Sequence, residues 1–354
     1  MIESGVPGYI RDVRLDDERL DAATSDIRGV PTVGRRRELA ALRRTGAESL
    51  PAGRIYEGHV NALQLIGRFG TPQQRARAVR EAAASFVFGV WNSQDRDGVS
   101  MVADGSKFRL SGSKTWCSGA GEVLRPIVTA KTPSGADQMI VVPMDRVAAT
   151  IDASDWIPLG MTASNSYRVC FDGVVVEPRD LLGSPGAYQQ GPWFLGGAIR
   201  FVAVQVGGID RIVDETTAYL VRLQRQDDPL QKLRIAKLQI ARQSCSNWLD
   251  VAADAWTEFD RDPNALMAER ATNITDMARV AIEEHALAVI ADAERCVGAR
   301  GLLEPLPFAA VIRDLQMYLR QPAPDAALMR VAGSATASIA DASTASASSI
   351  GTRV

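Results

Sequence analysis

Histidine is scarce in this chain: His59 and His285 are the only two in 354 residues. That scarcity argues against a multi-histidine metal centre and against most histidine-based catalysis. Cysteine is sparse as well, with four widely separated residues, Cys117, Cys170, Cys245 and Cys296. Their spacing matches neither a zinc site nor a disulfide framework, and a reduced cytoplasm is the simplest reading. No apolar run reaches the roughly 18 residues that a membrane helix requires, so no membrane partner is expected. The opening MIESGVPGYIRDVRLDDERL has no apolar segment of the kind a secretory signal carries. Lysine occurs five times, at 107, 114, 131, 232 and 237, so arginine dominates the 40 basic residues. Against 42 acidic residues the net charge is -2, which removes a whole-protein basic field and with it a nucleic-acid partner. With histidine this scarce, any reaction is expected to rest on an organic cofactor.

What is present is a large apolar fraction, 46%, beside 23% charged residues, the balance of a globular chain with an extensive core. The length suggests about two or three structural units. Residues 1–85 read as helices with loops. Leu39 and Leu42 share one side of Arg35–Thr45, and Ile55, Val60, Leu63 and Ile66 recur at helical spacing in Arg54–Phe69. Thr71 can cap a following helix over Gln73–Ala84, with Pro72 at its first position. Residues 86–185 change to short apolar or alternating runs, Phe86–Trp91, Lys107–Ser111, Met139–Val142 and Arg168–Asp172, separated by turn signals such as Asp104-Gly105 and Asp172-Gly173. Many short strands at this spacing predict a sandwich or barrel-like sheet. Residues 186–332 return to helical periodicity, with Ile240, Trp248, Val251, Ala255 and Phe259 on one stripe, and Asp227-Asp228-Pro229 dividing two long helices. The tail 333–354 is mostly Ser, Ala, Thr and Gly, too poor in apolar area to offset ordering entropy, so disorder is expected there.

Several nucleotide motifs are missing. No G-x-G-x-x-G follows a strand, which disfavours a nicotinamide-binding fold. Gly112-Ser113-Lys114-Thr115 has Ser113 and Phe108 where a phosphate loop needs glycine. There is no G-x-S-x-G either.

Other stretches resemble the acyl-CoA dehydrogenase superfamily, in chain order, over about residues 50–332. Phe69-Gly70-Thr71-Pro72-Gln73-Gln74 is similar to its F-G-T-x-x-Q turn, and Leu110-Ser111-Gly112-Ser113-Lys114-Thr115-Trp116-Cys117-Ser118 to its L-x-G-x-K-x-W-I-[ST]. Leu159-Gly160-Met161 with Val169–Val176 resembles the close of the family's β-domain, Asp214–Tyr219 its D-E-A-x-x-Y helix, and Arg295–Gly301 with Arg313-Asp314 its Q-x-x-G-G-x-G…R-D segment. The resemblance implies an α+β architecture of an N-terminal helical domain, a middle β-domain and a C-terminal four-helix bundle. It also implies FAD, with FMN as the other option, held by Trp116 against the flavin face and by the Ser118 hydroxyl. Taken alone, Trp116 reads as core. At other positions the chain departs from the family's motifs and offers substitutes: Trp91, Asn92 and Ser93 stand in the Y-x-x-T-E-P segment that lies along the flavin, Arg225 (or Arg222) near the lost R-x-x-F-G arginine that meets the FAD pyrophosphate across a dimer, and Arg295 with Gly298 in the Q-x-x-G-G segment, where Arg295 can approach phosphate. Surface charge is the plain alternative for these arginines, and plain core is the alternative for Trp91.

The departures from the family bear on the reaction. The glutamate that removes the substrate α-proton falls at Pro322-Ala323, and its alternative location falls at Gly197–Ala198; neither carries a carboxylate. Glu57 and His59, two apart on a helix, point to different sides, so one of them can face a cavity. Arg320 and Asp325 lie near the lost base. The resemblance therefore implies a flavin-dependent oxidoreductase acting on an acyl-CoA or related small molecule. A flavin monooxygenase of the same fold and a non-catalytic homologue are the alternatives. A homodimer or homotetramer is implied with it.

Overall fold

The structure, a computed structural model, describes residues 34–336 except 95, 97, 304–305 and 321–322. The opening part of the expected helical unit, residues 1–33, and most of the tail, residues 337–354, lie outside the described residues. Residues 333–336 of that tail are the last turn of a helix over 324–336, so the expected disorder does not begin at 333.

Three helices open the described chain: α1 (Arg35–Glu48), α2 (Leu50–Phe69) and α3 (Pro72–Ala83). Helix α2 starts four residues before the sequence-based expectation. Ser49 caps it by accepting from the Ala52 amide at 3.3 Å, and Pro51 sits in the first turn, where its missing N–H costs nothing. Helix α3 begins as expected, on a reciprocal cap in which Thr71 and Gln74 each bond the other's amide.

Ten strands follow: β1 (Val87–Trp91), β2 (Ser100–Asp104), β3 (Lys107–Ser111), β4 (Ser113–Cys117), β5 (Val123–Lys131), β6 (Asp137–Val141), β7 (Thr150–Asp152), β8 (Tyr167–Cys170), β9 (Val175–Val176) and β10 (Leu181–Leu182). One sheet runs β10-β6-β5-β2-β3-β9, with β1 lying parallel to β5; the other runs β4-β8-β7, antiparallel throughout. Alternate side chains from both sheets, among them Trp91, Leu110, Val128, Ile140, Phe171 and Val176, meet in one apolar core.

The remainder is helical: α4 (Trp193–Gly196), α5 (Ala198–Arg222), α6 (Pro229–Arg261), α7 (Ala265–Gly301), α8 (Phe308–Leu319) and the helix over 324–336. Asp228 caps α6 at Leu230, the division expected from Asp227-Asp228-Pro229. The buried stripe of α6 is Leu238, Ala241, Cys245, Leu249, Ala252, Trp256 and Phe259. Ile240 and Val251 of the expected stripe face solvent instead. In a helix of 33 residues two similar apolar rows compete, and the small Ala and Cys side chains win because the neighbouring helices approach closely there. Close approach is most pronounced between α1 and α5: a Cβ on Gly46 would lie 2.1 Å from the Val204 carbonyl oxygen, and one on Gly207 2.1 Å from that of Arg43. The N-terminal helices consequently share a single core with the bundle.

Candidate active site

A cavity of about 810 Å³ opens where α2, the strands, α4, α5 and α8 converge. One wall comes from the two sheets. Between Lys114 and Cys117 the register of β4 against β8 shifts, and the irregularity turns Trp116 out of the sheet. Trp116 sits at φ 56° and is 56% exposed, an uncommon state for a bulky residue. Its ring meets Trp156 edge to face at 5.6 Å, and the Trp156 indole N–H is anchored on the Thr162 carbonyl at 2.9 Å. Beneath the indoles runs a row of hydroxyls: Ser118 and Ser164 each lie 2.8 Å from Ser166. Of the six non-glycine residues with positive φ among those described, three, Trp116, Met161 and Ala323, line this cavity. Backbone strain of this kind is retained where a site needs it.

Asn92 and Ser93 complete that wall. The Asn92 side chain is fixed from behind, its Oδ1 accepting from Thr129 Oγ1 at 2.6 Å, and Thr129 in turn accepting from Lys114 Nζ at 2.9 Å. Lys114 also donates to Gln94 Oε1 at 2.5 Å and to the Asn92 carbonyl at 3.3 Å. Burial pushes the Lys114 pKa down to about 8, and three oxygen acceptors take its donors.

The opposite wall is helical and polar. Arg54, Glu57 and Asn61 occupy one face of α2. Arg54 is hydrogen-bonded to Glu57, and both are largely buried. Burial is the largest single influence on Arg54 and opposes its charge, but Glu57, Tyr318 and Tyr188 together outweigh it, so the guanidinium pKa is raised. Tyr188, whose hydroxyl is bonded to Asn61, and Tyr318 of α8 close this end. Burial lifts the pKa of Tyr188 to about 12 and raises that of Tyr318 well above its ordinary value. Behind them the buried Arg200 donates to Gln64 and Asn61, each at 2.6 Å.

Of the residues singled out from the sequence, Asn92, Ser93, Trp116 and Ser118 come together in the cavity. Trp91 does not: its ring is core between the sheets, and its N–H is used on the Ser118 carbonyl at 3.0 Å. Arg225, Arg295 and Gly298 are also absent from the cavity. Arg225 pairs with Asp228 at 3.8 Å and Arg295 with Asp292 at 3.6 Å, both at the surface, and Gly298 forms a kink in α7 at φ 62°. The two positions expected to lack a base do line the cavity, as Gly197, Ala198 and Ala323, while Pro322 lies outside the described residues. Glu57 faces the cavity, whereas His59 faces the core, where its Nδ1 accepts from the Phe88 amide at 3.1 Å. Arg320 is part of the lining and Asp325 is at the surface. Asp314 reaches across to the Met161 amide at 2.5 Å, fastening the loop of Leu159–Met161 to α8.

Sequence reasoning missed Arg54, Asn61, Trp156, Tyr188, Phe194, Phe201, Arg279, Tyr318 and Arg330. Arg54 and Asn61 lie three before and four after Glu57, so the helical period alone would have found them. The others depend on how distant elements pack. Among the described residues no group of His, Cys, Asp and Glu is placed to hold a metal, and no helix is long and apolar enough to cross a membrane.

Residues 188–319 match the family model of the acyl-CoA dehydrogenase C-terminal domain. The chain is 24% identical over 283 residues to the mitochondrial short-chain specific acyl-CoA dehydrogenase of Bos taurus, a match covering 73% of this chain and 65% of that protein. It is 25% identical over 146 residues to dibenzothiophene monooxygenase of Mycolicibacterium goodii, covering 38% of this chain and 35% of that one. In three dimensions it resembles dibenzothiophene monooxygenase TdsC from Paenibacillus sp. A11-2, with a TM-score of 0.81 at 20% identity over 92% of this chain and 89% of that one.

Proposed function

We propose that this chain, a divergent member of the acyl-CoA dehydrogenase superfamily, is a flavin-dependent oxidoreductase of the monooxygenase kind. The observation that carries this reading is the loss of the base. Gly197, Ala198 and Ala323 border the cavity at the two places where a proton-abstracting glutamate was expected, and none can take a proton. Dehydrogenation next to a carbonyl needs such a group, whereas insertion of an oxygen atom from dioxygen, with a reduced flavin supplying the electrons, does not.

The residues present fit a flavin. The volume lies in the range of sites for organic cofactors. The broad face of Trp116 and the Trp156 ring make an apolar wall, while Ser118, Ser164 and Ser166 supply hydroxyls that donate to or accept from a ring edge. Asn92, held by Thr129 and Lys114, offers an amide of fixed orientation. A bound flavin would supply electron transfer and, when reduced, reaction with dioxygen. The chain's own part is to fix that ring, close the far side with Phe194, Phe201 and Met317, and receive the substrate at the α2 wall. TdsC has been solved with FMN bound, and the bovine relative acts in the class of acyl-CoA dehydrogenases. Both flavins therefore belong in the test. Arg225 and Arg295 are each paired with a carboxylate at the surface, so a dinucleotide tail reaching them from a neighbouring subunit, as FAD in an oligomer would require, would compete with Asp228 and Asp292.

The test is an absorbance spectrum after reconstitution with FMN or FAD, with mass identification of the retained flavin. The protein should turn yellow, consume oxygen when supplied with reduced flavin, and not bleach with an acyl-CoA. Trp116→Ala should weaken flavin retention by about tenfold or more, the scale of removing an aromatic wall. A colourless protein, or one that bleaches with an acyl-CoA, overturns the reading.

A further inference from the structure

The substrate end of the cavity has its own chemistry. Five charged side chains line it, and Glu57 is the one carboxylate among them. Its relative exposure is 6%, and its partner Arg54 comes from the preceding turn of the same helix. Tyr318 approaches from α8, with its main chain fixed by Gln205 Nε2 at 2.9 Å from the Tyr318 carbonyl. The Tyr318 side chain is fully buried, and among the described residues its hydroxyl has no hydrogen-bond partner. Electrostatic coupling of that phenol to both Glu57 and Arg54 places all three at the same end.

An unsatisfied buried hydroxyl is costly, and at the wall of a cavity a bound ligand is a partner that can satisfy it. The neighbouring carboxylate still has acceptor capacity, because Arg54 takes up only part of it. An incoming group that both donates and accepts would satisfy both. A charged head group would not suit this end: an anion would be repelled by Glu57, and a cation would compete with Arg54 for a pair that is already neutral. The other guanidiniums of the lining are committed elsewhere. Arg320 bonds Glu283 at 2.6 Å, Arg330 grips Asp276 through two bonds of 2.7 Å, and Arg279 lies beside both those carboxylates. The body of the molecule would lie against Phe194, Phe201 and Met317.

From this geometry we propose that Glu57 and Tyr318 form the recognition site for a neutral hydroxyl group, so that the substrate is an alcohol or phenol on an apolar or aromatic body. The hydroxyl donates to the Glu57 carboxylate and accepts from the Tyr318 phenol, which orients the molecule with its apolar body along Phe194, Phe201 and Met317. Arg54, bonded to Glu57 one turn away on the same helix, is the positioning residue that holds the carboxylate in place. This assignment deepens the flavin reading, but it concerns binding groups that are present with or without a flavin.

Isothermal titration of the purified protein with 2-naphthol, naphthalene and 2-naphthoate tests it, with and without saturating FMN. These probes share a flat body and differ in the head group: neutral hydroxyl, none, and anion. 2-Naphthol should bind about tenfold more tightly than naphthalene, the discrimination of one well-satisfied buried hydrogen-bonding site. In Tyr318→Phe that ratio should fall to about threefold or less while naphthalene affinity is unchanged; Glu57→Gln, which keeps an acceptor, should fall between. Thermal melts of both variants establish that they are folded. Equal binding of 2-naphthol and naphthalene, tightest binding of 2-naphthoate, an unchanged ratio in Tyr318→Phe, or no binding of any probe in either arm overturns the proposal. The arm without FMN separates it from the flavin reading. Hydroxyl selectivity in a protein that takes up no flavin leaves this site standing and removes that reading; flavin uptake without selectivity does the reverse.

Discussion

His59 shows how far one side chain can couple the fold to pH. It is 1% exposed, accepts the Phe88 amide on Nδ1, and among the described residues has no partner for Nε2. Burial lowers its pKa from 6.5 to about 4. The unfolded chain therefore takes up a proton below about pH 6.5 that the folded chain refuses until about pH 4. Stability is complete above the upper limit and falls as pH drops through that window, by at most about 3 kcal/mol. Denaturant midpoints measured between pH 7 and pH 4 should show this loss, and His59→Gln should show a shallower one. A parallel decline in both proteins would remove the assignment. The same side chain illustrates what a sequence can convey about single residues. That Glu57 and His59 diverge followed from a spacing of two on a helix, and the structure places them on a cavity and in a core respectively. Tyr318 gave no such signal, because its importance arises from an unpaired hydroxyl, a property of packing between elements far apart in the chain.

The Leu159-Gly160-Met161 loop and helix α8 depend on each other. Asp314 takes the Met161 amide, and a Cβ on Gly160 would sit 2.2 Å from the Arg313 carbonyl oxygen and 2.6 Å from the Asp314 nitrogen. Those atoms belong to a helical backbone and cannot move aside as a side chain would. Gly160→Ala should therefore destabilise the protein by roughly 1–3 kcal/mol through overpacking. Thermal denaturation would register it, together with weaker flavin retention, since Met161 borders the cavity. A wild-type melting temperature in the variant would refute this account. Elements were easiest to read from sequence where termination chemistry was explicit. Thr71 before Pro72, and Asp227-Asp228-Pro229 between two long helices, marked helix starts that the structure reproduces. The inward face of α6 was harder, because Ile240 and Val251 are more apolar than the Ala and Cys that in fact face inward. There the neighbours' proximity decides, and hydrophobicity does not.

Over the whole molecule the order of helices, strands and helices was legible because the two regimes differ in period, and this order is what the acyl-CoA dehydrogenase-like fold requires. The candidate site was only half legible. In the strand wall Trp116 and Ser118 come from one continuous motif, Leu110–Ser118, while Trp156, Ser164 and Ser166 come from a separate loop, and the helical wall is assembled from α2, the segment around Tyr188, α5 and α8. A ligand filling that cavity touches every layer and should stabilise all of them together. At a free flavin concentration about a hundredfold above its dissociation constant, mass action adds about 2.7 kcal/mol, a rise of several degrees in the melting temperature. Differential scanning calorimetry with FMN and with FAD would measure it, and no shift with either would count against the site.

The paired indoles at 116 and 156 have an optical consequence. Flavins absorb where tryptophan emits, and these two of the chain's six tryptophans line the cavity itself. Ring occupancy should therefore dim the ultraviolet glow of an unlabelled sample, so the molecule carries its own gauge of whether the chamber is full.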